Sequence, residues 1–573
     1  MRRSGGLATG TPAARRAGFG AAVAIAGGLA AAVLAAGTAR ADGGGLAADR
    51  WSDPPRAASP LSPDRATPPP PAPPAEPAPP SPTPSPKPAP PSPAGPGAGA
   101  APPVCPGGAA ALSAAEVAAL LDGAAGAIDA AYTVAVVDRA GRPLGVFAKS
   151  GSAADPDRAV ALARTGAFFS NDQAPLSSRT VRFVSGIHFP PGVARTPNAA
   201  LYGIELTNRG CELDAAFAPG KAVPPAKRLA GGPCRPGTTA GCGLGPVTGK
   251  ADLLDSDPRA VDPGGVPVFR GDALVGGIGV AGLPPAQAEF AAVAALVPAF
   301  LPAVAPPGVV FIDGIRLPFV EQTSRPAGTA ADPAPAGTPI VAPRDGGCAP
   351  DGFLVAPRDG ARLSRAEVEG IVARSIAAAE RTRAVIRLPL GSRSRMVIAV
   401  GDLDGTLLAL YRMPDATVFS IDVAAAKARN VVWFSSPAGK ADLHPAFPPG
   451  QAITNRTISF GSQPLFPAGI DGSGPGPFFD LFRFDAANPC TQGSQPANRS
   501  QNGVVFFPGS IPLYRGRDLV GGLGISGDGV EQDDYVSLLG AAGFLPPEDL
   551  WADRVFVDGV RMPFLKLPRN PEE

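Results

Sequence analysis

Pro267-Val-Phe-Arg-Gly-Asp-Ala-Leu-Val-Gly-Gly-Ile-Gly-Val280 returns later in the chain as Pro512-Leu-Tyr-Arg-Gly-Arg-Asp-Leu-Val-Gly-Gly-Leu-Gly-Ile525. In both stretches the glycines alternate with Val, Leu and Ile, the two-residue spacing of a β-strand. A phosphate-cradling loop is the competing reading, but it needs glycines leading straight into a helix N-terminus with a Lys or acidic partner. The alternation favours a strand against which a helix or ligand packs closely. A helix is expected after each block. Then come Phe311-Ile-Asp-Gly-Ile-Arg-Leu-Pro-Phe319 and Phe556-Val-Asp-Gly-Val-Arg-Met-Pro-Phe564, at an unchanged offset.

Working upstream, the repetition continues. Leu112-Ser-Ala-Ala-Glu-Val117 and Leu363-Ser-Arg-Ala-Glu-Val368 each open a segment of helical periodicity, with Ser113/Glu116 and Ser364/Glu367 as capping boxes. Tyr132–Gly141 and Met396–Gly405 then read as hairpins, with Asp138 and Asp402 as turn formers and second strands at Leu144–Phe147 and Leu407–Tyr411. A second helix follows in each copy, Asp157–Arg164 against Asp422–Arg429. Asp157 and Asp422 sit in its first turn, where a carboxylate complements the helix dipole. Arg179-Thr180 and Phe183 match Arg456-Thr457 and Phe460, and Phe189-Pro-Pro-Gly192 matches Phe466-Pro-Ala-Gly469. The expected architecture is α+β, two tandem domains, each an antiparallel sheet with packed helices. We place them at residues 105–325 and 348–573, with a linker at 326–347.

The Val-Ala-Val-Val-Asp138 hairpin, the Asp422-x-Ala-x-x-Lys-Ala-Arg429 helix, and Pro263-Gly-Gly-Val-Pro-Val with Val-Gly-Gly-Ile-Gly-Val280 together resemble the GlcG/HbpS family over about 112–319 and 363–564. The resemblance implies a profilin-like fold and haem as the ligand, in a family that includes extracellular haem binders and some haem-degrading members. Haem needs an apolar slot, usually an axial ligand, and cations for its propionates. Arg164 and Arg429, shared by both copies, could meet propionates or pair with a local Asp. Lys427 belongs to the second copy only, since Leu162 replaces it in the first. The family's acidic residue in the helix after the Gly-rich strand is offered by Asp533 or Asp534, where the first copy has Pro284-Pro-Ala-Gln-Ala-Glu289. Tyr132, Tyr411 and Tyr514 could ligate iron or be core residues. His188 and His444 stand at positions the repeat does not share, so they are ligand candidates outside any common site, or surface residues. The function implied is an exported binder of haem or a related tetrapyrrole, with haem degradation and iron release as an extension. The alternative is a non-catalytic extracellular module for another small apolar ligand or a protein partner. A catalytic residue cannot be named.

Six cysteines punctuate the copies: Cys105 and Cys348 before each opening helix, Cys211 and Cys490 after matching strands expected near Leu201 and Phe479, and Cys234 and Cys242 in an insertion. The repeat suggests disulfides Cys105–Cys211, Cys348–Cys490 and Cys234–Cys242. A metal site is disfavoured because no cysteine has a CxxC or nearby His partner. The basic run Arg381, Arg383, Arg387, Arg393 and Arg395 reads as a solvated face.

The 573-residue chain opens with Arg2, Arg3, Arg15 and Arg16, an uncharged run from Gly18 to Gly37, and Ala39-Arg40-Ala41. This is the pattern of a signal peptide over residues 1–41, and an uncleaved anchor is the competing reading. It places the protein in the periplasm or envelope, or outside the cell, with no transmembrane segment after cleavage. Residues 42–104 are a Pro/Ala-rich disordered linker of polyproline character. With 50 basic and 49 acidic residues and no basic stripe, nucleic acid is not expected as a partner. Family members often assemble, so an oligomer or an internal pairing of the two domains is expected.

Overall fold

The computed structural model describes residues 102–105, 107–209, 211, 245–248, 262–302, 310–312, 314–488 and 490–573. The expected signal peptide, most of the Pro/Ala-rich linker and the Cys234–Cys242 pair lie outside them. The first half begins with α1 (Ala114–Ala125), the hairpin β1 (Thr133–Asp138) and β2 (Pro143–Lys149), α2 (Pro156–Phe169) and α3 (Ser178–Val184). It continues with β3 (Gly265–Arg270), β4 (Ala273–Ala281), α4 (Pro285–Leu296) and a small hairpin, β5 (Phe311–Ile312) and β6 (Ile315–Arg316). Two strands, β7 (Gly337–Val341) and β8 (Gly352–Val355), lie between the halves in sequence. The second half follows the same order. It has α5 (Arg365–Arg381), β9 (Val397–Gly401), β10 (Leu407–Arg412), α6 (Ser420–Ser435), α7 (Asn455–Gly461) and α8 (Phe479–Ala487). It closes with β11 (Ser510–Arg515), β12 (Asp518–Ser526), α9 (Val530–Gly540), β13 (Phe556–Val557) and β14 (Val560–Arg561).

Two five-stranded antiparallel sheets result, ordered β3-β4-β1-β2-β7 and β11-β12-β9-β10-β8. In β1, Val134 and Val136 join a buried cluster with α1 and α4, while Ala135 and Val137 join one with α2. Alternate side chains therefore serve opposite faces, and helices cover both. This is an α+β architecture.

Both expected capping boxes form, at Ser113/Glu116 and Ser364/Glu367. The repeated aspartates are turn formers: the Asp138 carboxylate accepts from Arg142 N (2.9 Å) and that of Asp402 from Leu403 N (2.8 Å). The Gly-rich strands lie under helices. A Cβ at Gly277 or Gly279 would stand 2.1 Å from the carbonyl of Ala163 or Ala159 in α2. At Gly522 and Gly524 it would stand 2.2 and 2.1 Å from the carbonyls of Ala428 and Ala424 in α6.

Several expectations are corrected. Segment 326–347, read as a linker, supplies β7, the edge strand beside β2, and its Asp332 carboxylate lies 2.8 Å from the buried Lys149 Nζ. Cys490 follows a helix, not a strand, because Phe478, Leu481, Phe482 and Asp485 are buried at helical spacing. Cys211 follows a turn of 3-10 helix at Ile204–Leu206. The disulfides are Cys105–Cys348 and Cys211–Cys490, with Cα separations of 5.3 and 5.4 Å, rather than Cys105–Cys211 and Cys348–Cys490. Each cysteine is joined to its counterpart in the other half. The halves pack together there, with Phe169 stacked on Phe419 at 4.1 Å and Tyr202 on Phe482 at 5.0 Å. Arg387 is no part of a solvated face: it is 1% exposed, and its guanidinium meets Asp415 at 2.7 Å.

Candidate functional site

Burial assigns most of the expected ligand residues to the framework. Arg164 Nε donates to Gly141 O and Arg429 Nε to Gly405 O, each at 2.7 Å, so both arginines pin the turn of the neighbouring hairpin. Arg429 also donates to Asn502 Oδ1 (2.9 Å). Lys427 is fully buried. Its Nζ meets Asp533 Oδ2 at 3.0 Å and Ile525 O at 2.8 Å, over the ring of Phe507. Loss of solvent lowers the Lys427 pKa and raises that of Asp533 to about 7, with their mutual attraction opposing both shifts. The first-half positions at the same place in the sequence repeat hold Leu162 and Ala288, both buried, so neither end of this ion pair recurs there.

The tyrosines are framework residues as well. Tyr132 Oη donates to Ala124 O (2.6 Å) at the end of α1, and burial raises the Tyr514 pKa to about 12. Tyr411 packs edge-on against Phe353 across β10 and β8. His188 is buried between the halves, with Nδ1 3.2 Å from Thr196 O and Nε2 3.7 Å from Asp471. His444 is half-buried, and its Nδ1 accepts from Ala446 N (3.2 Å). The two histidines do not share a site.

A second ion pair is kept in both halves. Arg456 holds Asp534 in the second, and Arg179 holds Glu289 in the first, with Nε–Oε1 at 2.6 Å. The repeated threonines beside these arginines donate to Pro563 O (2.7 Å) and Pro318 O (2.6 Å). The Arg-Thr repetition was visible in the sequence, but the acidic partners lie a helix and two strands away.

Beside the Arg456 pair opens a cleft of ≈600 Å³. Its second-half wall comprises Ser459, Phe460, Gln463, Ala468 and Pro508, Gly529–Gln532 at the start of α9, and the cations Arg456 and Lys566. The first half supplies Phe189, Asn198, Ala200, Ile312 and Ile315. Lys566 Nζ lies 2.7 Å from Glu531, on a side chain that is largely exposed. Three polar atoms of lining residues are buried without a hydrogen-bond partner among the described residues: Gln463 Oε1, Gln532 Oε1 and Asn198 Nδ2. Nothing in the sequence marked these three. The apolar walls fit a flat apolar ring; of the two cations, Arg456 is committed to the buried Asp534, and Lys566 is held only by a surface pairing with Glu531. For iron, the described lining offers no His, Cys, Met or Tyr, and its one carboxylate, Glu531, is engaged by Lys566.

No curated protein matches this chain significantly. Similar solved structures include a PduOC–haem complex, 22% identical with a TM-score of 0.21, covering 32% of this chain and 95% of that one. Klebsiella pneumoniae protein ORFY is 19% identical with a TM-score of 0.21, covering 32% of this chain and 90% of that one. Within the second half, residues 371–542 match the family described as haem degrading protein HbpS-like.

Proposed function

We propose that the protein is an exported binder of haem or a related tetrapyrrole, that it arose as a tandem duplication, and that the cleft beside Arg456 is its ligand site. The observation carrying this is coincidence of place: most of the cleft's second-half wall, from Arg456 to Gln532, lies inside the segment that matches the haem-degrading family. The chemistry agrees. Phe460, Phe189, Ile312 and Ile315 offer apolar surface to a ring, and the largely exposed Lys566 can exchange its surface pairing with Glu531 for a ring carboxylate. A tetrapyrrole supplies conjugated ring chemistry and, when metallated, redox iron. This chain's residues bind and orient it. Duplication is supported by the shared strand order of the two sheets. Export is supported by two disulfides, which persist in oxidising compartments, and by the N-terminal sequence pattern. No helix among the described residues is long and apolar enough to cross a membrane.

The test is a titration of the full chain with hemin, following the Soret band. A saturable shift at one equivalent is expected, weakened in Ser459→Trp, which fills the cleft. A band that never saturates, from protein whose circular dichroism shows it folded, would leave a scaffold for some other small ligand or a protein partner.

A further inference from the structure

We infer that the guest preferred by this cleft is an iron-free, open-chain tetrapyrrole rather than the closed metallated ring, an inference that rests on the tetrapyrrole reading above. Gln463 and Gln532 are 4% and 3% exposed, and the side-chain carbonyl oxygen of each lacks a donor among the described residues. The Gln463 amide nitrogen already donates to Ser459 O (2.8 Å), which orients its oxygen as the free atom. Asn198 Nδ2 is a buried donor without an acceptor. A buried polar group left unpaired is costly, so three on the residues of one cleft mark where a ligand's polar edge fits. Rotation about the terminal amide torsion, which is broad for glutamine and asparagine, is the motion needed to present them.

The complement of two acceptors and one donor is a guest with N–H and C=O groups side by side. Haem has no such edge, because iron occupies all four ring nitrogens. The metal-free closed ring keeps its N–H groups pointed at its own centre. An open chain ends in lactam rings, each with an N–H beside a C=O, and exposes pyrrole N–H groups along its inner edge. It keeps carboxylates, one of which Lys566 can meet in exchange for Glu531, and it asks for no axial ligand, which the described lining does not offer.

The experiment titrates the full chain separately with biliverdin, hemin and protoporphyrin IX. Biliverdin is expected to bind at least about tenfold more tightly than hemin, the difference one or two buried hydrogen bonds provide. Gln532→Met and Gln463→Met should each weaken biliverdin about tenfold more than they weaken hemin. Removing an unpaired acceptor takes away a liability of the empty protein, so Gln532→Met should melt at an equal or higher temperature. Hemin binding as tightly as biliverdin, equal losses for both ligands, or a lowered Gln532→Met melting temperature would each overturn the inference while the tetrapyrrole reading stands. Binding of none of the three removes both.

Discussion

Lys427 and Asp533 are both buried, and burial moves each toward its neutral form, Asp533 to about 7. The first half holds Leu162 and Ala288 at the places that align in sequence, an apolar pair. Deleting one end of a buried pair strands the other, whereas replacing both with apolar groups is often neutral. Asp533→Ala leaves the Lys427 ammonium with Ile525 O, the Phe507 ring and the more distant attraction of Asp534, itself held by Arg456, and should cost about 3–5 kcal/mol. Lys427→Leu should cost less, about 1–3 kcal/mol, because Asp533 can take up a proton near neutrality. Lys427→Leu with Asp533→Ala should return to within about 2 kcal/mol of the parent in urea unfolding. A double variant as unstable as Asp533→Ala alone would refute the pairing. The folded state also holds the Asp533 proton more tightly than the unfolded chain does. Its contribution to stability therefore falls as pH rises from about 4 to about 7, a slope that Asp533→Ala should remove. Residue types were legible in the sequence at this scale, but roles were not. Arg164 and Arg429 read equally well as ligand cations, and only the carbonyls of Gly141 and Gly405 decide otherwise.

Elements with local signals were readable. Capping boxes, turn aspartates and the glycine alternation report on contacts within a few residues or on one facing helix, and the helices and hairpins they predict are present. The strand β7 was not, because its five residues carry no apolar alternation and four of them are exposed; it is a strand only because β2 offers an open edge. The α8 segment misled for the opposite reason, since its phenylalanines favour strands until their spacing is considered. Where the glycine signal was right, it can be tested. Gly524→Ala drives a methyl against the backbone carbonyl of Ala424, which cannot rotate away as a side chain would. Its urea midpoint should fall by the equivalent of about 2–3 kcal/mol. Gly474→Ala, which meets nothing within 4 Å, should be neutral within about 0.5 kcal/mol. Equal effects at both sites would mean that α6 does not lie in contact with β12 at Gly524.

At the scale of the whole molecule, the cysteines were legible and their partners were not. A repeat aligns each half with the other but does not say how the halves face, and the disulfides depend on that. The observed pairs link residues 243 and 279 positions apart, so the first closes a loop around the whole first half and the second a loop from the middle of the first half far into the second. Such long loops remove much unfolded-chain entropy, and each bond should contribute about 2–5 kcal/mol, not additively because the loops overlap. Non-reducing peptide mapping should recover Cys105 joined to Cys348 and Cys211 joined to Cys490. Reduction should then lower the urea midpoint without separating the halves, since Phe169–Phe419, Tyr202–Phe482 and the Arg139–Asp415 ion pair hold them independently of sulfur. Because Phe189, Ile312 and Ile315 reach the cleft from the first half, the same reduction should weaken tetrapyrrole binding before it unfolds either sheet. Recovery of Cys105 joined to Cys211 would mean each half closes on itself, and the shared cleft would lose the bonds that hold its two walls together.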